Sequence, residues 1–515
     1  MAVVSIVINN RYLDSVKLMQ ISEKIKEKEG VTDALAVVAT KENKSILKAV
    51  GMLTEEFDQA TGSDICLAIK AETEELANDL LKEAIAWIKK GLPGEKRAAE
   101  EDHQPRSLES ALKIMPDADL VLISVAGRYA GREARKALEN GKHVLLFSDN
   151  VSIEDERELK EYAVAHDLLM MGPGCGTAII NNIPLAFANS IRLGKIGIVS
   201  AAGTGLQEVS SIIHNLGQGI SQAFGTGGRD GKKEISGLMM QYCLQYLIND
   251  PQTEVIVLIS KLPDDEVIDK IWKLAKTTEK PIVINYLKLI TIPKLDNIYV
   301  TETLSDTAVV ACRLLTGEEI KESDVELPVL LSSIKLPDNR SRKYLRGLYS
   351  GGTLCYEAQN IFYKRLGRYA FSNAPLHPDA KLTDVWQSKE HTMIDLGEEE
   401  FTVGRPHPMI DYSLRIKKLK EESHDPETAV ILFDVVLGYG SHPHPEKELA
   451  PIIKEVKQES GFPVICSVIG TDEDPQNRQN IIRTLQDSGA IVRQTNAEAV
   501  ELAVGIIKRI LNDIE

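Results

Sequence analysis

The sequence predicts an α/β protein built of several doubly wound, Rossmann- or flavodoxin-like parallel-sheet domains, with a small α+β unit at its N-terminal end. Three observations predict it. From residue 118 onward, short apolar strands alternate with helical stretches. The first ninety residues carry their own alternation, cut off by a stretch rich in Gly, Pro and charge. A set of landmarks occurs twice along the chain in the same order. Strands separated by helices require crossovers, and these are right-handed and lead to parallel sheets.

Each element has its own reason. Residues 3–8 form a Val- and Ile-rich run, the pattern of a buried strand. Residues 14–29 place Leu18, Ile21 and Ile25 at helical spacing, residues 34–38 and 64–69 read as strands, and 73–88 as a helix. Residues 91–106 mark a linker. Beyond it, strands at 120–125, 144–147 and 168–171 enclose helices at 132–140 and 153–166. Further strands follow at 196–199, 255–259 and 282–284. A polar, Pro-containing second linker covers 318–339, and strands at 345–349, 429–433, 464–468 and 491–493 complete the series. The expected units are 1–95, 106–190, 191–320 and 340–515.

Composition narrows the function. A chain of 515 residues buries sizeable cores without disulfides or metals. Sixty Lys and Arg against 76 Asp and Glu leave a net charge of −16, a field that repels nucleic acid and acidic membranes. The basic cluster at 415–420 alternates with apolar residues and reads as a solvated helix face. The six cysteines are scattered with no CxxC pair, which excludes a zinc ribbon or disulfide scaffold and fits a reducing compartment. Residues 1–10 carry no basic leader, and no apolar run reaches the ~18 residues of a membrane span. The expectation is a cytoplasmic protein with no nucleic-acid or membrane partner.

The internal repeat is the most informative feature. The segment Ala202-Gly203-Thr204-Gly205-Leu206-Gln207-Glu208 follows a strand, as does Gly351-Gly352-Thr353-Leu354-Cys355-Tyr356-Glu357. Gly228-Arg229 recurs as Gly404-Arg405, Asp250-Pro251-Gln252-Thr253 as Asp425-Pro426-Glu427-Thr428, and Pro281-Ile282-Val283 as Pro463-Val464-Ile465. One α/β fold used twice explains all four.

A strand, a Gly-Thr pair and then a helix present unpaired backbone N–H groups at the positive end of the helix dipole. A phosphate binds there without a basic side chain. The same pair also serves as a plain tight turn with an N-cap. Gly203, Thr204, Gly205, Gly352 and Thr353 are therefore candidate anion-binding residues. The loop Gly225-Thr226-Gly227-Gly228-Arg229-Asp230-Gly231-Lys232-Lys233 looks like a phosphate loop, but its spacing is not that of a Walker A motif. It adds Gly227, Gly228 and Arg229, unless it is a surface loop. In Gly404-Arg405-Pro406-His407-Pro408, Arg405 is suited to bidentate anion binding and His407 to proton transfer, against a structural turn. Gly440, Ser441 and His442 lie in a loop after a strand and read as substrate-lining. No metal site is expected.

These residues carry a resemblance. Met171-Gly172-Pro173, the run Gly194-Lys195-Ile196-Gly197-Ile198-Val199-Ser200, Gly203-Thr204 and Asp250-Pro251-Gln252-Thr253-Glu254 resemble the second half of the succinyl-CoA synthetase alpha subunit. Residues 345–507 resemble the C-terminal domain of the beta subunit, and the whole chain is similar to the FdrA family. The resemblance implies doubly wound domains as in succinyl-CoA synthetase, with paired helix ends holding a phosphate. It also implies a phosphorylated His in a Gly-His-Ala-Gly segment. Here the corresponding stretch is Asn285-Tyr286-Leu287-Lys288, and no His lies between His214 and His377. An ATP-grasp domain and the Gly-rich CoA loop are also missing, which argues against CoA. FdrA-like proteins resemble a component of oxamate carbamoyltransferase in allantoin and purine catabolism. The resemblance thus implies phosphate or carbamoyl phosphate as substrate, oxamate or oxalurate as the carbamoyl partner, and further subunits or a homo-oligomer. On this reading the helix N–H groups with Arg405 or Arg229 hold the phosphate, and His407 protonates the leaving amide. An acyl-CoA synthetase or acyltransferase, and a non-catalytic scaffold, are the competing readings.

Overall fold

The computed structural model describes residues 2–9, 13, 15–40, 43–44, 47–48, 51–61, 64–90, 105, 107–261, 263–287, 295–318, 326–336, 339, 341–402 and 405–512. They form two compact units. The first comprises residues 1–104 and 397–407, the second 105–396 and 408–515.

In the first unit, β1 (Ala2–Ile8), β2 (Val31–Val38) and β3 (Ile65–Ala71) make an antiparallel sheet in the order β1-β3-β2. The central strand β3 reads ICLAIKA because both its faces are covered. On one side Ile65, Leu67 and Ile69 meet Leu18, Ile21 and Ile25 of helix Ser15–Lys26 and Ala77 and Ala84 of helix Glu74–Lys90. On the other, Cys66 and Ala68 meet Leu47, Met52 and Phe57. The linker expected at 91–106 lies almost wholly outside the described residues.

Among the described residues the second unit holds three sheets. The strands β4 (Leu120–Ile123), β5 (His143–Leu146) and β6 (Met170–Met171) pair in parallel, with helices Gly127–Glu139 and Ile153–Ala165 as crossovers. A hairpin of β7 (Thr177–Ile180) and β8 (Ile183–Ala186) follows. Next come β9 (Leu193–Ser200), β10 (Ile220–Gly225), β11 (Val255–Lys261), β12 (Ile282–Leu287) and β13 (Ile298–Val300). Their sheet runs β13-β12-β11-β9-β10-β7-β8, parallel except at the hairpin edge. The last sheet contains β14 (Tyr344–Tyr349), β15 (Thr392–Asp395), β16 (Thr428–Val436), β17 (Val464–Ile469) and β18 (Ile491–Arg493). It is parallel throughout, in the order β15-β14-β16-β17-β18.

The repeat is visible in these orders. Counting β9 and β14 as first strands, both sheets run 2-1-3-4-5, the flavodoxin-like order. Four helices, Gly203–Asn215, Leu304–Thr316, Gly352–Leu366 and Asn496–Asn512, bury one shared core that includes Leu206, Val209, Ala308, Leu354, Ala358, Val500 and Ala503.

Several sequence expectations are corrected. The strand β10 reads ISQAFG and was not expected, because its polar residues break the apolar run. In the fold Ser221 Oγ sits 2.7 Å from Thr253 Oγ1, and Gln222 pairs with Asn181, so the strand is buried at little polar cost. The hairpin β7–β8, β13 and β15 also add to the expected strands. The second linker contains a helix, Glu326–Ser333. The cluster at 415–420 is not a solvated face: Arg415 and Lys418 are buried, Arg415 against Asp434.

Candidate functional site

The two Gly-Thr pairs begin helices, as expected, and the fold brings them together. A Cβ built on Gly351 would stand 2.6 Å from Thr204 Cγ2, and one on Gly205 would stand 3.1 Å from both Thr353 Cγ2 and Ile259 Cγ2. The glycines are thus what allows the two helix ends to touch. Neither end has a side-chain cap, since Ala202 and Gly351 occupy the N-cap positions.

The two ends differ in electrostatics. Asp434 accepts hydrogen bonds from the Ser350 and Gly351 N–H groups at 2.8 and 3.0 Å, and Arg415 neutralises it at 2.8 Å. A Cβ on Gly352 would lie 2.5 Å from Asp395 Oδ2. Two buried carboxylates therefore already face the second helix end. The first end faces neutral groups: Gly203 lies against Thr177 Oγ1, 3.4 Å from its built Cβ, and Gly228 against the Ala201 carbonyl. An added dianion meets less repulsion at Gly203-Thr204-Gly205.

Around this end the chain is braced. Cys175 is buried with its Sγ 3.4 Å from the Gly225 carbonyl, and burial pushes its thiol up to about 11, so it is not a thiolate at neutral pH. The loop with Gly227 and Gly228 is held by a buried charge cluster. Lys160 Nζ contacts Glu156 and Asp230 at 2.8 Å each, and Asp230 accepts the N–H groups of Met239 and Met240. Burial alone would lower the lysine's pKa, yet the two carboxylates outweigh it and raise it. Arg229 is drawn into the same cluster, 2.8 Å from Glu156 and donating to the Val151 carbonyl. Its guanidinium works inward as a loop brace.

Gly440, Ser441 and His442 approach from the second sheet. Gly440 packs 3.1 Å from Phe187 Cδ1, measured from its built Cβ, and Tyr439 N–H donates to Ala188. Phe187 in turn accepts from Thr177 Oγ1 through its carbonyl. His442 is half-buried, edge-on to Tyr412, and desolvation lowers its pKa. Arg405 and His407 fall in the first unit, where Arg405 Nε donates to Asn43 Oδ1 at 3.2 Å. Gly404 lies outside the described residues. Among the described residues no group of His, Cys, Asp and Glu has metal-binding geometry, and no helix is long and apolar enough to cross a membrane.

Two further residues, Glu208 and Glu357, stand in the repeat itself, each four residues after its Thr, with no local signal that marks them as part of the site. Both are buried. Glu208 accepts from the Asn496 N–H, the start of the second half's last helix, at 2.7 Å. Glu357 accepts from the Leu304 N–H, the start of the first half's last helix, at 2.7 Å. Each half caps a helix of the other. Burial, reinforced by the neighbouring Glu357 carboxyl, raises Glu208 well above the carboxylate range, and burial brings Glu357 up to about 7.

A cavity of about 500 Å³ opens elsewhere in the unit, beyond the C-terminal ends of β4 and β5. Arg128, Arg132, Arg135, Asn150, Asp155 and Glu158 line it, with Arg135 paired to Glu158 at 3.4 Å.

The second unit carries domains of the CoA-ligase type. Residues 348–506 match the CoA-ligase family, residues 192–286 the CoA binding domain, and residues 1–105 the family described as AllF, heavy metal-associated domain. The alpha subunit of an ADP-forming succinate–CoA ligase from Aquifex aeolicus is 28% identical over 34% of this chain and 58% of its own length. The solved structure of PH0766 from Pyrococcus horikoshii aligns with 79% of this chain and 87% of its own, at 15% identity and a TM-score of 0.32. The uncharacterized protein YahF of Escherichia coli is 40% identical over 98% of both chains. The chain belongs to the FdrA family of the succinyl-CoA synthetase-like superfamily.

Proposed function

We propose that the chain is the phosphate-handling subunit of an acyl-transfer enzyme of the acyl-CoA synthetase type. The observation that carries this reading is the contact between two uncapped helix N-termini, one of which faces neutral groups. Phosphate held by the N–H groups at Gly203-Thr204-Gly205 would attack the carbonyl of an acyl thioester. The O–C bond forms, the C–S bond breaks, and the thiol leaves with a proton, giving an acyl phosphate. Fixed N–H dipoles at such a site favour the bound dianion and its orientation without reorganising. Arg128 and Arg132 in the cavity suit the phosphates of a CoA-like thiol, since Arg binds phosphate oxygens in a fork, while Arg135 is paired with Glu158. The succinate–CoA ligase relative supports the thiol as co-substrate.

A second reading has its own support. The stretch that follows β12 carries no His, and the N-terminal unit matches the AllF family. Carbamoyl transfer uses the same phosphate site. Phosphate attacks the ureido carbonyl of oxalurate, the C–N bond breaks, and the oxamate nitrogen takes up a proton, leaving carbamoyl phosphate.

Calorimetric titration of the full chain tests both. The acyl-CoA reading expects CoA to bind, and Arg132→Ala to weaken that binding about tenfold, or ~1.4 kcal/mol. Binding of carbamoyl phosphate with no binding of CoA would shift the assignment to carbamoyl transfer. Failure of phosphate, carbamoyl phosphate and acetyl phosphate alike to bind would remove the site.

A further inference from the structure

We infer that Glu208, Asn496 and Glu357 form a proton-held clasp between the two flavodoxin-like halves, and that losing its proton loosens the helix pair that carries the anion site. The inference rests on the phosphate site proposed above and adds its regulation by pH.

Asn496 joins the two carboxyls. Its backbone N–H donates to Glu208 Oε1 and its Nδ2 to Glu357 Oε2, each at 2.7 Å. Nδ2 also donates to the Leu354 carbonyl at 3.0 Å, and Glu357 Oε1 accepts the Leu304 N–H at 2.7 Å. Glu208 is 1% exposed, and Glu357 and Asn496 are 0% exposed. Glu208 Oε2 and Asn496 Oδ1 are buried without a hydrogen-bond partner among the described residues. A carboxylate brings only acceptors to such a cluster, whereas a protonated carboxyl brings a donor. A proton on Glu208 supplies the donor that these two oxygens lack.

The surrounding charge favours that proton. Glu208 faces Glu357, Asp434 and Glu498, Glu357 also faces Asp306, and the buried Tyr349 hydroxyl and Cys355 thiol lie beside them. Arg415 neutralises Asp434 and Arg493 neutralises Glu498, at 2.8 and 2.7 Å. Among the described residues no cation pairs with Glu208 or Glu357. Two buried carboxyls tied to one amide do not both ionise without a large penalty, so the pair titrates as a unit. Burial, with the facing charges behind it, raises Glu208 well above the carboxylate range, and burial brings Glu357 up to about 7. Each Glu stands one turn beyond the Thr of its helix, and those two helices touch where Gly205 meets Thr353. When the clasp releases its proton to solvent, two negative charges repel across this contact and the helix starts separate. The N–H groups at Gly203-Thr204-Gly205 then lose their packed support, and anion affinity falls as pH rises.

Sulfate is the probe of choice, because it stays a dianion over a range where phosphate itself titrates. Calorimetric titration of the full chain at pH 5.5 and 8 is expected to show about tenfold weaker sulfate binding at pH 8, the effect of one unit of pKa difference between the bound and free chain. Glu208→Gln and Glu357→Gln keep an acceptor oxygen and remove the charge. Each should shrink the pH dependence, and the double variant should abolish it, binding sulfate at pH 8 as the wild type does at pH 5.5. Infrared spectroscopy needs no substitution: the wild-type chain should show a protonated-carboxyl band at pH 7. Equal sulfate affinity of the wild type at both pH values, the full dependence retained in the double variant, or no such band at pH 7 overturns the clasp. Binding of neither sulfate nor phosphate at either pH overturns instead the phosphate site on which the inference rests, while the infrared band still reports on the clasp.

Discussion

At the scale of single residues, this protein buries titratable groups whose charged forms the interior disfavours. Glu208 and Glu357 are buried within one set of packed helices and titrate upward. For Glu357 the sign is clear. A carboxyl whose pKa is raised by folding, here to about 7, contributes its full stability below the unfolded value of roughly 4.3 and loses it as pH rises through the folded value. Denaturant unfolding at pH 5.5 and 8 should therefore show lower stability at the higher pH. The difference grows by about 1.4 kcal/mol for each unit of raised pKa. Glu357→Gln should flatten this dependence, since its amide oxygen still accepts from Leu304. An unchanged pH slope in the variant would assign the effect to other groups. The Glu positions were legible in the sequence as part of the repeat. That each caps the other half's helix was not, because Glu208 meets Asn496 across 288 residues of chain.

At the scale of elements, the Gly-Thr helix starts were readable from local chemistry: glycine after a strand, then a helical run. Their function as a pair depends on the absence of a side chain at Gly351, where the facing group is another helix start. Gly351→Ala would force its Cβ to within 2.6 to 2.8 Å of three Thr204 side-chain atoms. The helix ends must then separate, at a cost of about 1–3 kcal/mol for overpacking. Phosphate affinity should fall with it. Chemical denaturation together with phosphate titration checks both, and intact affinity in a destabilised variant would show that the ends act independently. The glycine loop after β10 shows the opposite case. Its Gly-Gly-Arg pattern suggested an anion cradle, yet Arg229, Asp230, Glu156 and Lys160 neutralise one another as a brace. Sequence alone does not distinguish an Arg aimed at a ligand from one aimed at a buried Glu 73 positions away, and Glu156 stands on a helix before β6.

At the scale of the whole molecule, the second unit's two flavodoxin-like halves share one hydrophobic core and exchange helix caps. Neither half is complete alone. Residues 340–515 expressed by themselves should be poorly folded or self-associating, because separation exposes Leu354, Ala358, Val500 and Ala503 together. Calorimetry of the full chain should show this unit melting in one cooperative transition, and two well-separated transitions within it would contradict the shared core. The segment 397–407 adds a second lesson. It lies within the second copy of the repeat, yet it clusters with the N-terminal residues. The name of the family matched by residues 1–105 mentions heavy metals, but the sequence between Ile8 and Ser15 reads Asn9-Asn10-Arg11-Tyr12-Leu13-Asp14, with no Cys or His.

The sequence by itself determined the alternation of strands and helices, the duplication and the helix starts, because these follow from periodicity and local turn chemistry acting over a few residues. Tertiary structure alone decided which charges are spent inside the fold, which helix end stays electrically open, and that Asn285 is buried without a hydrogen-bond partner. Those outcomes depend on desolvation and on contacts between groups hundreds of residues apart, and no local pattern encodes them.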